Sequence, residues 1–404
     1  MANTKTYLMH QRALEGKIFY NDALAAPEYQ KKYFPPSRGQ SQYSYDQAPK
    51  VVIPISRTFI NRISALLHNG MEVEFDTEGM QEVWNDIASR IKWNETTRNL
   101  LVNSMIGGNA LVVLRPDMNN QVALEEWQAP FVFADDYWVG YEYILRNGVE
   151  MIPITSEPNL KDNEQLIQVP IDDFIFGNVE HGLGYTPAQL FKSIDRDSEG
   201  NYGLPYYLRF RDLNIEYNQV FSQTSKAIKI LQNVWVSTAD PENPDNPISL
   251  DPEKINFVSE KGTLQQVTRQ LDTDPETQYL STLLKHIHNA AQIPDFISGL
   301  SGVGKIESGV ALQIVSGPLL ELMTRVRNEY KEDVEELVTK IINTEFRLLG
   351  VMAPQFEVNV KLNENILPVD KQQEVDNLLK LVNAGIITAD QAGSVVKPLF
   401  GLEE

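Results

Sequence analysis

From Glu307 to about Leu349 the chain keeps one helical period for roughly 43 residues. Leu319, Leu322, Met323, Val326, Tyr330, Val334, Leu337, Val338, Ile341 and Phe346 fall on one apolar stripe. At 1.5 Å per residue such a helix would span about 64 Å. Pro318 lies inside it and is expected to kink it, because its ring removes one backbone hydrogen bond. A lone chain would leave much of that stripe uncovered, whereas identical neighbours could cover it.

The rest of the chain must be arranged around this rod. Residues 1 to 50 are polar and rich in Tyr, Gln and Pro, and read as an arm with one short helix that leans on something else. From Pro54, the residues Ile55, Phe59, Ile60, Ile63 and Leu67 recur at helix spacing, and "MEVEF" follows as a strand. A second helix is expected from about Gln81 to Met105, ending at Gly107-Gly108, with "ALVVL" as a buried strand after it. Asn147-Gly148 between alternating segments is a hairpin signal of the type I′ kind. Up to about residue 200 the pattern is that of an α+β domain.

Pro205 to about Leu231 then reads as a long helix, and residues 232 to 272 as a Pro-rich insertion. Two short strand-like pieces, Val234–Ser237 and Ile255–Ser259, are expected in that insertion. The insertion is too small for a core of its own, so its strands are expected to pair with those of an adjacent subunit. Another helix opens at Asp274-Pro275, where Asp can cap and Pro suits the first turn, and stops at Pro294. After the rod come an alternating strand, "FEVNVKL", and two short helices, the second opened by a Thr388-x-x-Gln391 capping box.

Between the last two long helices lies "ISGLSGVGKIESG", residues 297 to 309. Gly299 to Lys305 spells G-x-x-x-x-G-K, the first part of a phosphate-binding loop. A working loop of that kind also needs a strand feeding it and a Ser or Thr after the Lys to hold magnesium. Here Ile306 follows Lys305, and the preceding "AQIPDFIS" is a broken helix end. The glycines Gly299, Gly302, Gly304 and Gly309 therefore read as backbone freedom, with Lys305 as the one cation of the segment.

Other chemical signals are sparse. His286 and His288 stand two apart on a helix, so they face different ways and read as solvated. Asp135-Asp136 and "KEDVEEL" (331 to 337) read as a strand end and a solvated helix face. No cysteine is present, which removes disulfides, thiol nucleophiles and cysteine-ligated zinc. No catalytic group, cofactor site or metal site is expected. The opening "MANTKTYLMHQRALEGK" lacks the basic head and apolar core of a leader, and the apolar run Leu100–Leu114 is too short to span a membrane, so a soluble protein is expected. A formal net charge of −20 argues against tight nucleic-acid binding, which needs phosphate neutralisation.

The order of parts resembles the tailed-bacteriophage portal proteins, most closely those of Gram-positive siphophages. "LLKHIHNAAQIPDFI" is similar to the family's second stem helix with its Ile-Pro-Asp end, and "ESGVALQ...GPLLELMTRVR" to the opening of its long helix. "LVNAGIITADQA" (381 to 392) is similar to its C-terminal helix–turn–helix. The resemblance implies a wing (51–204) after the N-terminal arm (1–50), a first stem helix (205–231), a clip (232–272) and a second stem helix (273–297). A tunnel loop (298–306), a long wing helix with its return strand (307–369) and a reduced crown (370–404) would complete it.

It also implies a non-enzymatic ring, a dodecamer in the virion, at one capsid vertex. Double-stranded DNA would pass through without tight binding. Terminase, head-completion adaptor or neck proteins, and the major capsid protein with scaffold would be partners, assembly taking place in the host cytoplasm. The tunnel loop would put Gly299, Ser301, Gly302, Gly304, Lys305, Ile306 and Glu307 beside the channel. The clip would offer Val234, Trp235, Val236, Ile255, Phe257 and Val258 to a neighbour, terminase or adaptor. The alternatives are a P-loop nucleotide hydrolase of a packaging motor and another head–tail connector or adaptor ring.

Overall fold

The computed structural model describes residues 2–36, 45–46, 48–68, 71–128, 131–134, 137–140, 143–146, 150–153, 188–198, 203–231, 235–237, 264–266, 274–298, 309–362, 378–380, 382–384, 388 and 393. It is a helix-dominated α+β fold. Helices α1 (Ala2–Tyr20), α2 (Pro27–Tyr33) and α3 (Ile55–His68) come first. Strand β1 (Glu72–Phe75), helices α4 (Met80–Arg90) and α5 (Trp93–Gly107), and strands β2 (Asn109–Pro116) and β3 (Val122–Gln128) follow.

The expected single helix from Gln81 is thus two. Lys92 sits between them with φ at 52°, a left-handed turn that aims α5 away from α4 and lets Trp84 and Trp93 meet edge to face, 4.8 Å apart.

β2 is central in a three-stranded antiparallel sheet ordered β3-β2-β8, with β8 spanning Ala188–Lys192. Ala110 to Leu114 are buried without alternation, as a strand covered on both faces requires. Short antiparallel pairs lie between them in sequence: β4 (Phe131–Ala134) with β5 (Tyr137–Gly140), and β6 (Tyr143–Arg146) with β7 (Glu150–Pro153). In the second pair Arg146 faces Glu150, so three residues join the strands where a type I′ turn would use two. Those three lie outside the described residues.

Strands β9 (Asp195–Arg196) and β10 (Gly203–Leu204) lead to a 3₁₀ turn, Tyr206–Arg209, and to α6 (Arg211–Leu231). The long helix expected from Pro205 therefore starts later, after that turn. β11 (Trp235–Ser237) pairs antiparallel with β12 (Leu264–Gln266) of the same chain. Helix α7 (Asp274–Ala291) runs beside α6, then comes the short α8 (Asp295–Ser298).

The rod is α9, Gly309–Leu348, forty residues with Pro318 inside. β13 (Val358–Lys361) returns to pair antiparallel with β1. Of the C-terminal segment, too little is described to place the two expected short helices.

The core follows the rod. Leu319, Met323, Val334, Leu337, Val338, Ile341 and Ile342 are each at most 1% exposed, packed against the sheet, β13 and α3. The Tyr330 hydroxyl donates to the Thr97 carbonyl of α5 at 3.0 Å. Much of the stripe is thus covered within one chain, which corrects the expectation that neighbours would be needed for it. The 331–337 run is also less solvated than expected. Glu335 accepts the Val360 amide at 2.9 Å, and Glu336 accepts Gln189 at 3.0 Å and Lys340 at 2.9 Å, tying the rod to two sheets.

The first residues form two helices where one short one was expected, and they lean on the core. Phe19 is 2% exposed and stacks on Tyr207, with ring centroids 4.7 Å apart. Glu15 takes Arg211 in two hydrogen bonds of 2.7 and 2.8 Å, together with the Tyr33 and Tyr207 hydroxyls. Burial raises this carboxyl, but those donors outweigh it and lower it to about 2.

Candidate functional site

The glycine-rich segment is the first candidate. Gly299, Ser301, Gly302, Gly304, Lys305, Ile306 and Glu307 all lie outside the described residues. What is described is the pair of anchors from which the segment hangs, and the upstream anchor is built closely.

α7 ends at Ala291 because Pro294, which has no amide proton, follows three residues on. Gln292 turns left-handed with φ at 56°, and each group in this elbow is held. The Tyr206 hydroxyl donates to the Ala291 carbonyl. Arg209 donates to Gln292 Oε1 at 2.7 Å, and it is itself fixed by both oxygens of Asp195, at 2.6 and 2.7 Å. A bidentate pair of this kind sets direction as well as strength.

His288 completes the elbow. It is 5% exposed, against the expectation of a solvated ring, and packs on Phe59 at 5.2 Å. His286, two residues earlier, is exposed. The reason is helical geometry: position 288 shares the inward face with Leu283, Ile287 and Ala291, and position 286 does not.

Nδ1 of His288 lies 2.9 Å from the Ile293 carbonyl, so that nitrogen carries the proton in the neutral ring. Nε2 is 3.4 Å from Ser298 Oγ, whose own proton goes to the Asp295 carbonyl at 2.8 Å. Burial lowers the ring's pKa, keeping it neutral at pH 7. One side chain therefore touches both the bend and the last residue before the glycines.

The element feeding the segment is the α-helical turn Asp295–Ser298, not the buried strand a phosphate loop requires. On the far side, α9 begins at Gly309. A cavity of about 670 Å³ lies beside the elbow, walled by Leu284, His288, Pro294, Val315 and Pro318. No group of three or more metal-ligating side chains occurs among the described residues.

The second candidate is the insertion. Trp235 and Val236 stand on β11, opposite Gln266 and Gln265. Val234, Ile255, Phe257 and Val258 lie outside the described residues. The strand that does pair, Leu264–Gln266, went unanticipated because "LQQ" carries neither alternation nor β-branched residues. The same applies to the elbow. Arg209, Asp195 and Gln292 are far apart in sequence, and only the register of the fold makes them one group.

No helix among the described residues is long and apolar enough to cross a membrane. Of the curated proteins compared, none matches. A chain in a solved structure titled "Neck of native GTA particle computed with C12 symmetry" is similar at 12% identity and a TM-score of 0.44, over 85% of this chain and 89% of that one. The family model described as "Phage portal protein, SPP1 Gp6-like" matches residues 160–395, a span that takes in α6, the insertion, the latched elbow, the glycine-rich segment and the whole rod. The protein belongs to that family and acts as a phage portal protein, a component of the virion.

Proposed function

We propose that copies of this chain form a closed ring at one capsid vertex, a dodecamer in the virion, through which double-stranded DNA passes in packaging and ejection. The family match over residues 160–395 carries this reading. α6 and α7, side by side, serve as the stem, with residues 232–272 as a clip that meets terminase and later the adaptor proteins. The sheet and rod serve as the wing, and the glycine-rich segment as the loop bordering the channel.

The physics of a conduit supports it. Duplex must slide rather than stick, and a subunit with a formal charge of −20 supplies repulsion over a screening length of about 8 Å. Glycines 299, 302 and 304 let the segment change shape while its upstream anchor stays latched. Lys305 makes brief phosphate contacts. Portal proteins are structural rather than catalytic, so the chain turns over no nucleotide.

Negative-stain micrographs of the purified protein test the ring. The expected particle is an annulus with a central hole wider than a duplex; a solid or open-ended particle overturns it. Nucleotide hydrolysis in parent and Lys305→Ala protein tests the motor alternative. Both are expected at background, and activity in the parent that the substitution removes would reverse the choice.

A further inference from the structure

Away from the elbow, a cleft of about 790 Å³ lies between β1, α4 and the first turn of α5. Its size is that of a ligand site rather than a packing defect. One wall is a strand edge. β1 has β13 on one side and no strand on the other among the described residues. Val73 faces Val360, whose amide goes to Glu335, so theirs is the pair without mutual hydrogen bonds.

The N–H and C=O of Val73 therefore point to the open edge. The carbonyl is taken there by the side-chain amide of Gln81 at 3.1 Å, a contact that a strand amide could replace. An edge of four residues, about 13 Å long, matches a short extended segment.

The other walls supply an anchor and a charge. Trp84 and Trp93 line the cleft, and the Trp93 Nε1 donor, in a residue only 5% exposed, has no hydrogen-bond partner among the described residues. Three carboxylates, Glu72, Glu74 and Glu95, line the cleft against one lining cation, Lys92; among the described residues Lys361 pairs with Glu74 and also feels the charge of Glu72.

We infer that this cleft docks an extended, lysine- or arginine-bearing segment of another polypeptide, added as a strand beside β1. Its backbone pairs with Val73, an apolar side chain lies over Trp84, and its cations face Glu72 and Glu95. Backbone pairing supplies the affinity and the acidic rim the selectivity.

The test is fluorescence anisotropy with the full chain and a labelled Lys-Val-Lys-Val-Lys amide. Saturable binding is expected, at least tenfold tighter than for Glu-Val-Glu-Val-Glu and at least tenfold tighter than for the same basic peptide N-methylated at its central residue. The double variant Glu72→Gln, Glu95→Gln should weaken it about fivefold. Glu321→Gln, Glu332→Gln, an equal charge change on exposed positions of α9, should leave it within twofold. No saturable binding, indifference to N-methylation, or equal weakening by both double variants would overturn the inference, the last two marking attraction to an acidic surface only.

Discussion

A buried imidazole wedged between a bend and a glycine run is an unusual place to keep a titratable group. Because burial lowers the His288 pKa, the unfolded chain takes up this proton before the folded one does. Its contribution is therefore complete above about pH 6.5 and is lost as the pH falls below that value. Two other groups act in the same range. Burial lowers His68 likewise, while burial raises Asp333 to about 7, so that its contribution instead declines as the pH rises towards neutrality. The difference between parent and His288→Gln isolates the ring. The variant is expected to be less stable by about 1–2 kcal/mol at pH 7.5, through the lost hydrogen bond to Ile293. That gap should narrow by pH 5.5, as read from urea midpoints. A constant gap would mean that the ring contributes packing alone. The burial of His288 was within reach of its sequence, since it shares a face with Ile287 and Ala291. Its partner Ser298 was not, because the turn at Gln292 that brings it back follows no sequence rule.

At the level of elements, helix contacts depend on small residues at crossings. A Cβ added to Gly16 of α1 would lie 1.9 Å from the Ile106 carbonyl oxygen of α5. Backbone cannot move away as a flexible side chain could. Gly16→Ala is expected to cost roughly 1–3 kcal/mol by overpacking. Hydrogen exchange should then quicken in α1 before it does in α9, whereas uniform loosening would show that α1 is not a separate unit. Most elements were legible from periodicity: α3, β2, α7 and the rod all fall where their apolar spacing put them. The misses have physical causes. The break at Lys92 has no glycine or proline to mark it, and a left-handed lysine is visible only in three dimensions. The strand 264–266 is defined by its partner rather than by its own residues.

For the molecule as a whole, the sequence suggested an arm with one short helix leaning on something else, and the structure shows two helices that lean on the core of their own chain. What holds them there was not legible in the sequence, because Glu15, Arg211 and the two tyrosines become one bonded group only in the fold. Removing residues 2–20 takes away Glu15 and leaves Arg211 and the Tyr207 hydroxyl with fewer partners. The loss is expected to exceed the roughly 1.5–3 kcal/mol of a charge-assisted hydrogen bond, because Ala13 and Phe19 leave the core as well, and it is seen as a lower urea midpoint. An unchanged midpoint would return the segment to the role of an appendage. The same knot has a temporal side. Glu15 and Arg211 are 196 positions apart, so α1 cannot settle until the chain through the start of α6 has been made. Closing so long a loop delays folding more than it weakens the product. Until then Phe19 has no Tyr207 to stack on, and a nascent subunit is most open to premature association with its own kind during that interval.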